Sequence, residues 1–442
     1  MRFRRVRSWV RRSLRGLQLL PAVGIAVTGG VAIVLLATLI LDRLIHTSSK
    51  AADPIDITKL SFTVAGGVGA AVALVVAYRR QRDIEQGRFV ERFGAAAAQL
   101  GDHDVAVRIA GVYAMAGVAD ESAGLRRQQC IDVLCGYLRL PYSSELGSNH
   151  QSKLVLTEAR TGEDGSSTSQ EERHLEFRQN DKEVRATIVR VIGDHLRDHE
   201  YTWSTCDFDF RTTQLEDVDL SQAVFGGTTR FNDVTFAGDA DFYGAKFSGD
   251  VEFDGATFFS TSSFEEVTFS GPTSFEEVAF IKTALFSAAT FSGVTSFNGA
   301  TFTTTAGFDG ATFSSTAKWG ATFFGTAAFN AVTFCGDARF YGANFSRLAA
   351  FNKAKFSGDI RFGGATFSGD TRFEAATFSG PTSFRATNFG SGQIAFDDPH
   401  QWGPPAPTFG WDDHLSTKPE NVTPQNWPPT PVARFGTNPD MS

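Results

Sequence analysis

The spacing of apolar residues divides the chain into stretches with three different patterns. Residues 21–41 and 60–78 are two runs that contain no charged residue. As a helix, the first run reaches about 30 Å, which matches the hydrocarbon layer of a bilayer. A cleaved signal peptide has a shorter apolar core and no matching second span. The two runs therefore predict a hairpin of transmembrane helices.

Apolar residues recur at helical spacing between residues 79 and 200. Three helices are predicted between Arg79 and Leu140, and Pro141 ends the last of them. Segment 143–181 is polar and is predicted to be a flexible insertion in this α-helical linker domain. A fourth helix follows, and its apolar face is formed by Val184, Ile188, Val191, Ile192 and Leu196.

Phenylalanine sets the pattern from residue 205 to 396. Its positions alternate in steps of six and five, as at Phe225, Phe231, Phe236, Phe242 and Phe247. About fifteen units of eleven residues follow one another, with Trp319 in one Phe position and one residue missing before Phe323. A right-handed coiled coil also has this period, but Gly, Ser and Thr recur throughout and are poor helix formers. The pattern therefore predicts a β-solenoid of very short strands with stacked, inward-facing Phe rings.

The longer step contains a Ser-Gly pair in six of the units, as at 248–249 and 270–271. Glycine tolerates positive φ, so a widened turn is expected there. If two units form one coil, meaning one full turn of the solenoid, each coil has about 22 residues. About eight coils at ~4.8 Å each would give a rod of roughly 40 Å.

The repeat resembles the pentapeptide-repeat family, in which Leu or Phe is central and a small residue stands two positions earlier. Leu215, Leu220 and Phe225 are five apart. Alanines stand two positions before a Phe at Ala223, Ala256, Ala300, Ala311, Ala343, Ala354, Ala365 and Ala376. The resemblance implies a right-handed quadrilateral β-helix over 205–396. Together with the preceding segments, it resembles a bacterial membrane-anchored variant of the family.

The charged residues next to the two apolar runs predict how the transmembrane hairpin is oriented in the membrane. The leader, residues 1–20, holds seven Arg and no acid, and Arg79, Arg80 and Arg82 follow the second run. By the positive-inside rule, both termini are expected in the cytoplasm of a bacterium, with a multi-pass anchor in its inner membrane. Four cysteines in 442 residues suit a reducing compartment.

The last segment, 397–442, is rich in proline and contains Trp402, Trp411 and Trp427. Two interpretations stay open for it. The tryptophans could cap the open end of the solenoid, as such arrays require, or the segment could be an irregular tail that binds a partner.

No motif for catalysis, metal or cofactor binding is found in the sequence. His195 and His199 are four apart on the fourth predicted helix, but no third ligand accompanies them, so a solvated helix face is the preferred interpretation. A solenoid filled with Phe also leaves no cavity for a substrate. We therefore expect no enzymatic activity and no cofactor.

Charge along the repeat is uneven. Residues 205–280 hold fifteen acids and three bases, whereas 281–396 hold five acids and nine bases. The candidate acidic surface for a partner consists of Asp250, Glu252, Asp254, Glu265, Glu266, Glu276 and Glu277. Some pentapeptide-repeat proteins resemble DNA in charge and shape and bind DNA gyrase, which the resemblance implies as an alternative function.

The sequence therefore predicts a non-catalytic scaffold anchored in the lipid bilayer. Its rigid β-helical rod would be presented to an unknown cytoplasmic protein, and self-association into a homo-oligomer is also expected. The net charge of −8 argues against direct binding of nucleic acid.

Overall fold

The structure is a computed structural model that describes residues 39, 54–143, 153–161, 168–176, 180–197 and 203–432. It divides into two compact units, residues 1–91 and 92–442. Four long α-helices are described, α1 (Pro54–Leu100), α2 (Val105–Asp120), α3 (Leu125–Leu138) and α4 (Asp181–Arg197), together with a short 3-10 helix at Leu415–Thr417. The four α-helices agree with the helical segments predicted from the apolar spacing.

The predicted first transmembrane span, 21–41, and the basic leader lie outside the described residues, apart from position 39. The predicted second span, 60–78, lies within α1. No helix in the described part of the chain is both long enough and apolar enough to cross a membrane. The transmembrane hairpin therefore stays a prediction.

The predicted flexible insertion contains a β-hairpin that the sequence pattern did not reveal. Strands β1 (Lys153–Thr161) and β2 (Thr168–Glu176) pair antiparallel, with Lys153 opposite Glu176. Both strands are mostly polar, so neither shows the alternation of apolar and polar residues that marks a half-buried strand. These two stretches therefore form regular structure within the predicted flexible insertion.

The repeat forms the predicted β-solenoid, and its described strands build four parallel sheets, numbered here in chain order. Sheet 1 consists of Phe208–Asp209, Thr229–Arg230, Val251–Glu252, Thr273–Ser274, Thr295–Ser296, Ala317–Lys318, Ala338–Arg339, Ile360–Arg361, Thr382–Phe384 and Thr408–Phe409. Sheet 2 consists of Gln214–Leu215, Thr235–Phe236, Thr257–Phe258, Ala279–Phe280, Thr301–Phe302, Thr322–Phe323, Asn344–Phe345 and Thr366–Phe367. Sheet 3 consists of Val218–Asp219, Ala240–Asp241, Ser262–Ser263, Ala284–Leu285, Ala306–Gly307, Ala327–Ala328, Ala349–Ala350, Thr371–Arg372, Ile394–Ala395 and Val422–Thr423. Sheet 4 consists of Val224–Phe225, Lys246–Phe247, Thr268–Phe269, Thr290–Phe291, Thr312–Phe313, Thr333–Phe334, Lys355–Phe356, Thr377–Phe378 and Gln401–Trp402.

The strand register confirms a coil of 22 residues. Phe247 pairs with Phe225 in the coil before it and with Phe269 in the coil after it. The residue missing after Trp319 shortens one coil to 21, because Phe302 pairs with Phe323. One coil therefore holds two of the eleven-residue units, and each regular coil adds one strand to every sheet.

The Phe rings fill the interior in stacked columns, as predicted. Phe253 and Phe275 lie with ring centroids 4.8 Å apart and ring planes 3° from parallel. Between columns the rings meet edge to face, as between Phe253 and Phe264 at 5.5 Å. Both arrangements are favoured by the charge distribution of aromatic rings and add to the burial of apolar area.

The glycines of the Ser-Gly pairs serve a different purpose from the one predicted. Positive φ occurs in the shorter step instead, for example at Gly255 (69°) and Glu277 (58°). A Cβ added to Gly271 would lie 2.5 Å from the backbone oxygen of Gly249 in the previous coil. These glycines are therefore needed because consecutive coils approach too closely for a side chain.

The coils continue beyond residue 396, where the regular Phe spacing ends. Gln401–Trp402, Thr408–Phe409 and Val422–Thr423 each add a strand to an existing sheet. Trp427 then meets Phe396 and Phe409 edge to face at 5.9 Å and 4.9 Å. This packing over the last rings is the arrangement that the cap interpretation predicts.

Helices α2, α3 and α4 do not form a separate linker, since they belong to the same compact unit as the solenoid. Their mutual packing buries Arg108, whose guanidinium donates to the Tyr137 hydroxyl at 3.0 Å and to Asp181 at 2.6 Å. Trp203, which begins the solenoid, stacks on His195 of α4 at 4.1 Å. The helical segment therefore caps the first coil.

Arginine side chains join this helical cap to the first coil. Arg139 donates to the backbone oxygen of Asp209 at 2.8 Å, and Arg197 donates to that of Ser221 at 2.7 Å. Arg185 donates to the backbone oxygen of Gln214 at 3.1 Å. These bonds satisfy carbonyl groups at the end of the solenoid that have no preceding coil to pair with.

Glu216 also belongs to this junction and should make its stability depend on pH. Burial alone would raise the pKa of Glu216, but hydrogen bonds from Lys182 and the Tyr142 hydroxyl, both at 2.6 Å, lower it below its usual value. A carboxyl with a lowered folded-state pKa stabilises the fold above its unfolded-state pKa, and this contribution is lost as the pH falls through the folded-state pKa.

We expect Glu216→Gln to lower the free energy of unfolding by about 1 kcal/mol at pH 7. The difference from the wild type should shrink below about pH 4, where the wild-type carboxyl becomes protonated. Urea titrations at pH 7 and at about pH 3 measure both values. The control is Glu374→Gln, an exposed carboxyl beside sheet 3. If Glu216→Gln lowered the free energy of unfolding by the same amount at both pH values, the assigned role of Glu216 would be contradicted.

Candidate functional site

The seven acidic residues of the candidate partner surface separate into two groups in the structure. Glu265 and Glu266 lie in the turn after sheet 3, whereas five residues lie on sheet 1 or in the turns beside it: Asp250, Glu252, Asp254, Glu276 and Glu277. The turns after sheets 1 and 3 are half a coil apart and therefore occupy opposite corners of a four-sided rod. The structure thus brings five of the seven together and places two elsewhere.

Three of the five residues beside sheet 1 make polar contacts between coils. The Asp254 carboxylate accepts from the Ser274 hydroxyl and from the backbone N–H of Glu276 at 3.0 Å. Glu276 in turn accepts from the Ser296 hydroxyl at 2.6 Å. Glu252 lies 3.9 Å from Arg230 of the previous coil. The carboxylates of Asp254 and Glu276 are therefore held at set positions along the rod.

Exposed aromatic residues form a second surface feature, which sequence reasoning missed. Phe259 and Phe324 are each 51% exposed, and Ile281 lies between them along the corner that follows sheet 2. Both phenylalanines directly follow an inward-facing Phe, at positions that interrupt the alternation of six and five. That irregularity is the signal in the sequence for an outward ring.

His195 does not contribute to a metal site in the described structure. Its Nδ1 lies 2.6 Å from the backbone oxygen of Val191, and its Nε2 lies 3.2 Å from Asp120. His199 lies outside the described residues. Within the described ranges, no group of three or more His, Cys, Asp or Glu side chains is arranged to hold a metal ion. His195 instead helps to join the helical cap to Trp203.

The four cysteines are free thiols, and three of them are buried. Burial raises the pKa of Cys130 to about 11 and that of Cys135 to about 12, so both stay protonated at neutral pH. A thiol in this state is a poor nucleophile and a poor metal ligand. Cys130 and Cys135 therefore act as core residues of α3.

Comparison with known proteins identifies the repeat. A family model described as pentapeptide repeats (9 copies) matches residues 210–257, 231–279, 342–377 and 351–392. No curated protein and no solved structure shows a significant match to the chain. The four-sided coils, the stacked Phe columns and these matches agree with one another. Residues 210–279 and 342–392 therefore carry pentapeptide repeats, within a β-solenoid whose described strands run from Phe208–Asp209 to Val422–Thr423.

Proposed function

We propose that this chain is a non-catalytic scaffold that presents the outer faces of its solenoid to a protein partner at the cytoplasmic side of a membrane. The observation that carries the proposal is the filled interior of the rod, where rings such as Phe253, Phe264 and Phe275 are completely buried. A solenoid packed in this way acts through its surface. Pentapeptide-repeat solenoids generally serve as scaffolds rather than as enzymes.

The corner formed by Phe259, Ile281 and Phe324 supports a protein as the partner. Aromatic residues are enriched in protein interfaces, and they supply much of the binding free energy where they become buried. The rings sit on a rigid stack of coils, so little conformational entropy is lost when a partner covers them. A protein with a complementary apolar surface fits this corner.

A cross-linking pull-down of the full-length protein from its native cells tests the scaffold. We expect a cytoplasmic protein to be captured by the wild type and at least about tenfold less by the variant Phe259→Ala/Phe324→Ala, because truncating central aromatic contacts costs about 2 kcal/mol or more. The control variant Tyr243→Ala removes a ring that is 38% exposed elsewhere on the rod. Equal capture by all three proteins would contradict binding at this corner.

The acidic residues are tested in the same experiment as two separate groups. Glu276→Lys/Glu277→Lys changes the corner after sheet 1, and Glu265→Lys/Glu266→Lys changes the corner after sheet 3. If a captured partner binds the predicted acidic surface, one of these variants should no longer capture the partner and the other should still capture it. Retention by both variants would remove the acidic surface from the proposal.

The gyrase alternative has less support from the placement of charge. A protein that imitates DNA needs acidic groups along its whole length, whereas fifteen acids lie in residues 205–280 and five in 281–396. The candidate acidic residues also divide between two opposite corners. Recovery of DNA gyrase in the pull-down would nevertheless decide for the alternative.

Membrane anchoring is proposed from the two uncharged runs and from the exposure of apolar side chains in α1. Leu74, Val75 and Tyr78 lie in the predicted second span and are 73%, 52% and 67% exposed. Burying such side chains in lipid removes apolar area from water. The arginines at both ends of the hairpin favour a cytoplasmic position for the solenoid.

Alkaline extraction of membranes tests the anchor. The full-length protein should stay with the membrane pellet, and Leu74→Arg/Val75→Arg should shift it toward the soluble fraction, because a charged residue in a span raises the free energy of insertion, by up to about 2.5–3.5 kcal/mol at the centre of the span. Ile84→Arg is the control, since Ile84 is 44% exposed in the same helix but lies beyond the predicted span. Recovery of the wild type in the soluble fraction would overturn the anchor.

A further inference from the structure

The outward side chains of sheet 1 change charge along the rod. In each of these strands the first residue is buried, and the second faces outward or is partly covered by its neighbours, except Ser296, which is buried as well. From the second coil onward, the second residues are, in order, Arg230, Glu252, Ser274, Ser296, Lys318, Arg339, Arg361 and Ser383. Apart from Arg230 and Ser383 at the two ends, acidic and neutral residues therefore precede the middle of the sheet, and basic residues follow it.

The turn after sheet 1 repeats this order at the neighbouring corner. Its first outward residues are Asn232, Asp254, Glu276, Asn298, Gly320, Tyr341, Gly363 and Arg385. The two central coils present Ser296, Asn298 and Gly320, which are small and uncharged. Lys318 is the single charge between them on the sheet. The middle of the face can therefore approach another flat surface closely.

We propose that two copies of this chain pair antiparallel through sheet 1, about a two-fold axis between the strands of Ser296 and Lys318. Such an axis, parallel to the strands, reverses the order of the coils in the second copy. The interface is then the same patch on both chains, as two-fold symmetry requires. The proposal goes beyond the scaffold function and does not depend on it.

The two-fold axis places unlike groups opposite each other. Glu252 and Arg361 lie at equal distances from the axis, each on the third strand from it on its own side. Glu252 of each copy therefore faces Arg361 of the other copy, which gives two such pairs in the dimer. Glu276 faces Tyr341, whose side chain is 79% exposed. Arg230 faces Ser383, and Asn232 faces Arg385, so no two bases lie directly opposite each other on the sheet or at this corner.

Two like-charged approaches remain: Lys318 of the two copies lie diagonally across the axis, one strand spacing apart along the rod, and two carboxylates meet at the opposite edge of the face. Asp250 comes opposite Asp359, but the Arg361 guanidinium already binds Asp359 at 2.6 Å. In the dimer this guanidinium lies between Asp359 and the Glu252 carboxylate of the second copy. Arginine carries five N–H donors, so it can bind both carboxylates.

A second copy fits this face better than a uniformly charged partner. A polyanion such as nucleic acid would be repelled by Glu252, Asp254 and Glu276, and a basic protein would be repelled by Arg339 and Arg361. A second copy offers both signs in reversed order along a rod of the same coil spacing. If the chain is anchored in a membrane, the paired rods must lie along its surface, since their helical caps are at opposite ends.

Co-expression of two differently tagged full-length copies tests the pairing. Capturing one tag should recover the other for the wild type. Glu252→Arg in both copies should lower recovery more than about tenfold, because two like charges then meet at two places in the dimer. Arg361→Glu in both copies should have the same effect. Combining a Glu252→Arg copy with an Arg361→Glu copy should restore recovery, since both pairs between positions 252 and 361 are again of opposite sign.

The mixed pair keeps the test independent of folding, because both variants must be folded to recover each other. Arg372→Glu on the opposite sheet 3 is the matched control and should leave recovery unchanged. Absence of recovery for the wild type would overturn the proposal. So would a mixed pair that recovers no more than either variant alone, or a loss caused by Arg372→Glu. None of these results depends on capture of a cytoplasmic partner.

Discussion

Replacing Phe258 by alanine should lower the free energy of unfolding by about 3–5 kcal/mol. The ring is 1% exposed and stacks on Phe236 at 4.3 Å and on Phe280 at 4.9 Å. It also meets Phe264 edge to face at 5.8 Å. Alanine would leave a void that the neighbouring rings cannot fill, because their backbones are fixed by hydrogen bonds to the coils on both sides.

The matched control for this prediction is the next residue. Phe259 carries the same side chain directly after the same strand, but it is 51% exposed and points away from the core. Phe259→Ala should therefore change the free energy of unfolding by no more than about 1 kcal/mol. Guanidinium titrations of both variants measure the difference. Equal losses for Phe258→Ala and Phe259→Ala would refute the distinction between inward and outward rings.

The sequence is most informative where a physical period repeats. Inward rings recur at fixed steps because each coil must present the same side chain at the same corner, so the spacing alone places Phe247, Phe269 and Phe291 in one interior column. The 22-residue coil follows from the same steps. The amphipathic pattern of α4 is equally clear, and its predicted apolar residues are buried.

The sequence is least informative where contacts depend on single, long-range hydrogen bonds. Arg139 and Arg197 cap the first coil by donating to its backbone oxygens, and no periodic pattern marks such arginines. Sequence reasoning therefore predicts a linker where the structure has a cap. The polar strands of the hairpin at 153–176 escape prediction for a related reason, since their pairing is carried by the backbone and leaves little trace in the side chains.

The candidate site illustrates the same limit. Counting charges along the chain places seven acids in one region, but a coil turns through four sides in 22 residues. Glu266 and Glu276 are ten apart and so lie on opposite corners. Residues that share a face are about 22 apart instead, as Glu252, Ser274 and Ser296 are. Surface proximity in a solenoid must therefore be assessed at the coil period.

The Ser-Gly glycines give the second large effect on stability. We expect Gly271→Ala to cost about 3 kcal/mol, because the added Cβ would lie 2.5 Å from the Gly249 oxygen and 2.8 Å from its carbonyl carbon. Both atoms belong to the backbone of the neighbouring coil and cannot move aside without breaking its register. Thermal or guanidinium unfolding of the purified full-length protein measures the loss.

Gly307→Ala separates this steric effect from the general consequences of replacing glycine. Its added Cβ would meet the Cδ2 atom of Leu285 at 3.3 Å, a flexible side-chain end that can turn away. The corresponding position in the next coil is Ala328, so alanine already fits this column. Gly307→Ala should leave the free energy of unfolding unchanged or raise it by up to about 1 kcal/mol, because alanine reduces the conformational entropy of the unfolded chain. If Gly271→Ala proved equally harmless, close stacking of the coils could not be the reason for glycine in the Ser-Gly pairs. The backbone of the turn would then have to shift away from the neighbouring coil at little cost in free energy.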